Sequence, residues 1–225
     1  MNKLIISLLS LFSIIYGVQA QSIRFEGKDF ELSHVKASLV QLDGEEVLRL
    51  ERDLEKFPFE KGVDEPTFVK LTGINLENGT IEVKVLSRLL PTAPAFARGF
   101  IGLAFRINAD NSEYESIYIR PTNGRADDQI RRNHSVQYYA YPEYKFDRLR
   151  KEYPELYETY ADIALEEWIT MRVEFRGKSA KLFLNEREQP AFLVNEMLST
   201  SKIGSIGLWV EVGTEGFFKD LKITQ

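Results

Sequence analysis

Trp168 to Asn185 reads WITMRVEFRGKSAKLFLN, two apolar–polar alternations separated by Arg176-Gly177-Lys178. In the first run Ile169, Met171, Val173 and Phe175 fall on one side, and Thr170, Arg172, Glu174 and Arg176 on the other. Successive side chains of a β-strand point to opposite faces, so a period of two predicts a strand with one dry face and one wet face. A glycine between two such runs predicts a tight reversal, hence a hairpin. The charges on the wet face mark a sheet that covers a core on one side only.

The same alternation recurs on both sides of this hairpin. KASLVQL, EVLRLE, FVKLTGI, GTIEVKVLSRL, GFIGLAFRIN, YESIYIRP and HSVQYYA precede it, and GSIGLWVEVG and FFKDLKIT follow. Asp43-Gly44 and Asn78-Gly79 supply further turns. Eleven short strands with tight turns predict an all-β, antiparallel β-sandwich, not alternating βαβ units. Residues 141–167 break the pattern and predict two short helical pieces, the second opening at Pro154. An excursion of that length in a compact domain is a rim, a lid or decoration. No linker interrupts the chain, so residues 21–225 are expected to form one domain.

Residues 1–20 have the make-up of a signal peptide: Lys3, an apolar run from Leu4 to Val18, and Val18-Gln19-Ala20 as a small-x-small cleavage site. Export to a periplasm or the medium is expected. No later stretch is apolar enough to span a membrane. The formal charge is −5 and no basic block offsets it, which argues against nucleic acid as a partner. There is no cysteine, so the core must hold without disulfides or a thiol nucleophile. His34 and His134 are the only histidines and lie far apart, which removes a multi-histidine zinc site. No cofactor is expected; Asp127-Asp128 is the one place for calcium, and a solvated acidic loop explains the pair as well. Oligomeric state is not legible.

Strand parity sorts the polar groups. With Ile101, Leu103, Phe105 and Ile107 in the core, Gly102, Ala104 and Arg106 face outward. The same rule turns out Tyr118 and Arg120, then Ser135, Gln137 and Tyr139, then Trp209 and Glu211. Aromatic rings beside planar hydrogen-bonding groups suit sugars, whose apolar C–H faces stack and whose hydroxyls take several bonds. Tyr118, Tyr139 and Trp209 are the candidates for stacking. Arg106, Arg120, Arg125, Arg131 and Gln137 are the candidates for hydrogen bonds. Glu211 is the first candidate for a general acid or base and His134 the second. Against this, Tyr118 and Tyr139 can be packing partners under the insertion, and His134 can be structural. Arg131 and Arg132 can pair with Asp127 and Asp128 or with an acidic ligand.

The succession GFIGLAFR, YESIYIRP, HSVQYY, WITMRVEFRGKSAKLFLN and GSIGLWVEVGTEGFFKDLKI resembles the concanavalin A-like lectin/glucanase superfamily. Its ending, Ile206-Gly207-Leu208 and then Phe218-Lys219-Asp220-Leu221-Lys222-Ile223, is similar to that of the bacterial exported 3-keto-disaccharide hydrolase family. The resemblance implies a jelly roll of two facing sheets with a sugar site on the concave one. His134-Ser135 stands where that family tends to carry a glutamate before Val-Gln, and the Glu-x-Asp-x-x-Glu strand of laminarinase-type enzymes is missing. Retaining hydrolysis of that kind is therefore not expected. What remains is an exported domain that binds a saccharide, an oxidised or acidic one given the arginines, with hydrolysis left open. The alternatives are a lectin-like module without chemistry, or a laminin G-like protein-interaction domain whose contact surface is the insertion.

Overall fold

In the computed structural model, which describes residues 21–225, the two alternations pair as a hairpin through six residue pairs from Met171–Leu184 to Arg176–Ser179. The leader expected at 1–20 lies outside the described residues. In chain order the strands are β1 (Ser22–Phe25), β2 (Lys28–Ser33), β3 (Val35–Leu42), β4 (Glu45–Arg52), β5 (Phe68–Leu71), β6 (Gly79–Leu89), β7 (Ile101–Ile107) and β8 (Tyr114–Ile119). Then come β9 (Val136–Tyr141), β10 (Glu158–Thr159), β11 (Ile169–Arg176), β12 (Ser179–Leu184), β13 (Phe192–Val194), β14 (Ser205–Val210) and β15 (Thr214–Thr224). Three short helices are α1 (Pro121–Gly124), α2 (Gln129–Asn133) and α3 (Phe146–Glu152).

One sheet has eight strands in the order β1-β2-β5-β14-β7-β8-β9-β10, the other seven in the order β13-β12-β11-β6-β15-β4-β3. The dry faces meet: Phe105 of β7 stacks on Phe175 of β11 at 4.7 Å between ring centroids. Leu48, Leu50, Ile81, Val83, Met171 and Val173 fill the same layer with Leu103, Ile117 and Leu208. Along β11 the inner residues are buried and the outer ones half-buried or exposed, as the alternation predicts.

The eight-stranded sheet departs from that pattern, because every residue of β7, β8 and β14 is buried. Its outer face carries Phe68, Tyr114, Tyr118, Tyr139 and Trp209, too much aromatic surface to leave in water. Two segments cover it, the loop between β4 and β5 and the excursion after β9. Tyr141 stacks on Tyr114 at 5.0 Å, and Trp209 Nε1 donates to Glu65 O at 2.8 Å. The covers are fastened to each other as well: Phe146 N donates to Asp64 Oδ2 at 2.9 Å, and Lys145 pairs with Glu65.

All eleven alternations form strands. The hairpin β1–β2 was not among them; it turns at Glu26-Gly27, where φ is 46° and 73°, a pair of left-handed residues that matches the twist of a two-residue turn. In the excursion only α3 forms. The second helical piece expected after Pro154 is replaced by β10, because the backbone there finds sheet partners: Tyr157 O accepts from Tyr138 N at 2.9 Å. The polar loop before β9 contains α2, whose first turn is capped by Asp128 Oδ1 accepting from Arg131 N at 2.9 Å. That use of Asp128, with no cluster of three or more ligating side chains among the described residues, gives calcium no support there.

Candidate functional site

Where β8 ends and β9 begins, the two covers do not quite meet, and a cavity of about 250 Å³ opens between them. Arg120 follows β8, and Asn123, Arg131 and His134 come from the α1–α2 connection. Phe96, Arg98 and Phe100 come from the Pro- and Ala-rich loop before β7, Val63 and Asp64 from one cover, and Phe146 and Arg150 from the other. Tyr118 and Glu211 also line the cavity. Phe146 and Arg150 are four apart and share a face of α3, with Arg150 Cζ 5.1 Å from the Phe146 ring. Buried Leu149 anchors that helix.

Arg120 is the centre of the arrangement and only 4 % exposed. Its Nη1 donates to His134 O at 3.1 Å, and its Nη2 to Tyr118 Oη at 2.6 Å and Gln137 Oε1 at 3.2 Å. Its Cζ lies 4.9 Å from the Tyr118 ring centre. Asp64 stands in a left-handed backbone conformation, φ 56°, which costs a non-glycine residue about 1–3 kcal/mol and is found where the surroundings enforce it. Burial raises the Asp64 carboxyl pKa, against the Phe146 N–H, the Arg120 charge and Tyr118 Oη. Burial likewise pushes Glu211 up to about 7, against its ion pair with Arg52. Both Glu211 oxygens are occupied, since Val212 N donates to Oε1 at 2.7 Å and Glu65 N to Oε2 at 3.3 Å. Burial, then Arg150, lowers the His134 pKa, and Nε2 lies 3.2 Å from Glu158 Oε1.

Of the residues singled out in the sequence, Tyr118, Arg120, Arg131, His134 and Glu211 are brought together around the cavity. Trp209 and Tyr139 share the face of Tyr118 but lie beneath it, fully buried: Trp209 is 4.8 Å from Tyr118 between ring centroids, and Tyr139 Oη bonds Tyr114 Oη at 3.0 Å. They support the floor and cannot stack on a ligand. Gln137 is also buried, its Nε2 given to Tyr138 O and Tyr157 O. Arg125 is turned outward and pairs with Asp162 and Glu167 at 2.7 Å each.

Arg106 is reversed outright. Phe105 pairs with Ile206 and Ile107 with Ser205, so Arg106 is the extra residue of a β-bulge, with φ 53°. Its guanidinium turns between the sheets, 5.7 Å from Phe175, and donates to Glu77 O and Gly177 O. Asp64, Phe96, Arg98, Asn123, Phe146 and Arg150 were missed, because they sit in loops or a short helix where no period assigns a face. The one available signal was Arg98-Gly99 directly before a strand: Gly99 has φ 70°, and a Cβ there would lie 2.6 Å from Leu165 Cδ2.

No protein-family model and no curated protein matches the sequence. Among solved structures, the carbohydrate-binding module CBM66 from Bacillus subtilis superposes with a TM-score of 0.54 at 11 % identity, over 86 % of this chain and 97 % of the module. A Bacillus licheniformis β-glucanase gives 0.46 at 12 %, over 94 % and 95 %. A Bacillus subtilis protein of unknown function with a galectin-like fold gives 0.46 at 10 %, over 85 % and 88 %. The first of these likenesses is one of fold: the chain is a two-sheet antiparallel sandwich of the concanavalin A-like kind.

Proposed function

We propose that this is an exported carbohydrate-binding protein whose ligand enters the cavity beside Arg120. The observation that carries the reading is the lining itself. Phe96, Phe100 and Phe146 offer rings with buried Tyr118 behind them, while Arg98, Arg120, Asn123 and Arg131 offer planar donors, in a space just under the usual size of ligand cavities. That combination fits the apolar face and hydroxyl rim of a single sugar residue better than a peptide or a flat protein surface. The carbohydrate-binding module with the same fold supports the reading, and the leader expected at 1–20 fits export.

Phe96 tests it, since at 45 % exposure it can be removed without emptying the core. A glycan array should return at least one soluble saccharide. Phe96→Ala should then bind that saccharide about threefold to tenfold more weakly by titration calorimetry, the worth of one aromatic contact. An array without hits, or equal affinity in the variant, would overturn the proposal.

A hydrolytic reading has one observation in its favour. Asp64 and Glu211 are two carboxylates on the cavity wall whose pKa burial raises, the direction a general acid needs. Glu211 is engaged by Arg52 and two backbone N–H groups, whereas Asp64 accepts one backbone N–H, so Asp64 is the residue to test first. The C-terminal resemblance to 3-keto-disaccharide hydrolases would make a glycosidic bond the target. Cleavage of the best array ligand by wild type, abolished in Asp64→Asn with binding kept, supports it; an intact ligand after prolonged incubation leaves the protein a binder.

A further inference from the structure

Four guanidinium groups line the cavity, and only one of them is neutralised there. Arg150 lies 2.9 Å from Glu158. The other three meet uncharged oxygens. Arg98 Nη1 donates to Ala95 O at 2.8 Å and Ala97 O at 2.7 Å. Arg131 donates to Asn123 Oδ1 at 3.3 Å and Thr122 O at 3.2 Å. Arg120 has the three neutral partners given above. Of the eleven arginines elsewhere, six are ion-paired, such as Arg52 and Arg125, and buried Arg106 is held by carbonyl oxygens alone. What sets the cavity apart is that three unpaired arginines share one wall, in a chain with 34 acidic and 29 basic residues.

Two physical costs meet here. A guanidinium as buried as Arg120 is costly without a counter-charge, even with its neutral acceptors. The three groups also repel each other: after burial itself, Arg131 and Arg120 are what lowers the Arg98 pKa. The carboxylates of the wall do not relieve this. Glu211 belongs to Arg52, and Asp64, though it feels the Arg120 charge, forms no ion pair with any of the three. Donors remain to be used, since Arg98 Nε and Nη2, Arg120 Nε and Arg131 Nη1 reach no protein acceptor. Rings flank Arg120 at 6.0 Å (Phe100) and 5.7 Å (Phe146) and hold its plane.

We propose that the ligand carries an oxyanion, a carboxylate or a sulfate ester on the sugar, and that Arg98, Arg120 and Arg131 clasp it. Forked guanidinium groups match the paired oxygens of both anions. This rests on the saccharide reading for the sugar, but the anion rests on the arginines alone. Arg98 and Arg131 are half-exposed, so their removal tests the site without opening the core.

The experiment titrates wild type, Arg98→Ala and Arg131→Ala with glucuronate, glucose 6-sulfate, glucose and sodium sulfate by calorimetry, with far-UV melts as a control for folding. At least one of the sugar acids should bind wild type tenfold or more tighter than glucose, and each variant should lose most of that preference with its melt unchanged. Which acid binds tells carboxylate from sulfate ester. Equal binding of glucose and both acids would overturn the anion and leave the saccharide. Sodium sulfate binding as well as the sugar acids, and lost in the variants, would keep the anion site and remove the saccharide. A preference unaltered by both substitutions would place the anion elsewhere and overturn the proposal.

Discussion

Glu115 is a charged residue in the layer between the sheets, and its chemistry can be read from its neighbours. It points inward from β8 and is fully buried, with Tyr138 Oη and Ser199 N as donors to its two oxygens. Burial pushes its pKa from 4.5 up to about 7, against those two bonds and the Arg106 charge. A folded pKa above the unfolded one means that the folded state holds the proton more tightly. The stabilisation is complete below pH 4.5 and is lost as pH rises through 7, on the order of 3 kcal/mol for a shift of this size. Glu115→Gln mimics the protonated form, with Nε2 able to donate to Tyr138 Oη while Oε1 keeps Ser199 N. Wild-type melting temperature should therefore fall from pH 5 to pH 8, and the variant's should fall less, Glu211 still contributing through its own raised pKa. Equal slopes in the two proteins would show that Glu115 is ionised throughout. Trp209 teaches the complementary lesson. Parity puts it on the outer face, but the covers bury it, so Trp209→Ala would unpack the floor of the cavity, at about 3–5 kcal/mol, and would not report on ligand contact.

Between elements, β7 and β8 approach each other closely at Gly102. A Cβ on Gly102 would lie 2.5 Å from Tyr118 Cα and Cβ and 2.5 Å from Ile117 O, so an alanine there must push the strands apart. Gly102→Ala should cost at least about 3 kcal/mol, the upper end for overpacking, seen as a lower urea midpoint; an unchanged midpoint would mean the two strands part freely. Cavity shape would suffer too, because Tyr118 is part of its wall. The same strands show how far the alternation of the sequence reaches. It identified eleven strands and, on β8, put Tyr118 and Arg120 on the face that holds the cavity. It failed where geometry is made by pairing and not by period: β10 is two residues long and exists only because β9 offers an edge. It failed at Arg106 because one bulged residue reverses every later side chain of its strand. Asp64 and Arg98 were illegible for a third reason. They lie in loops whose paths are set by what they cover, and no local pattern records that.

Across the whole molecule, the sandwich is sewn together by segments distant in sequence. β15, the last strand, lies between β4 and β6, and β14 lies between β5 and β7. The Glu26 carboxylate accepts from Asp220 N at 2.7 Å and Leu221 N at 2.9 Å, joining the two ends of the described chain. Neither sheet can leave without exposing the inner layer of the other, since one cluster holds core residues from both. This predicts a single cooperative transition. The two tryptophans are placed to test it. Trp209 lies under the covers on the outer face of the eight-stranded sheet, while Trp168 packs with Val47, Leu86 and Phe217 on the outer face of the seven-stranded one. Trp168→Phe and Trp209→Phe each leave one reporter, on opposite sides of the sandwich. In each variant the urea midpoint by fluorescence should coincide with that by far-UV circular dichroism, whatever its absolute stability. An earlier fluorescence transition confined to Trp168→Phe, whose remaining reporter is Trp209, would show that the covers open before the sandwich melts. The cavity between them would then be a site with a movable wall.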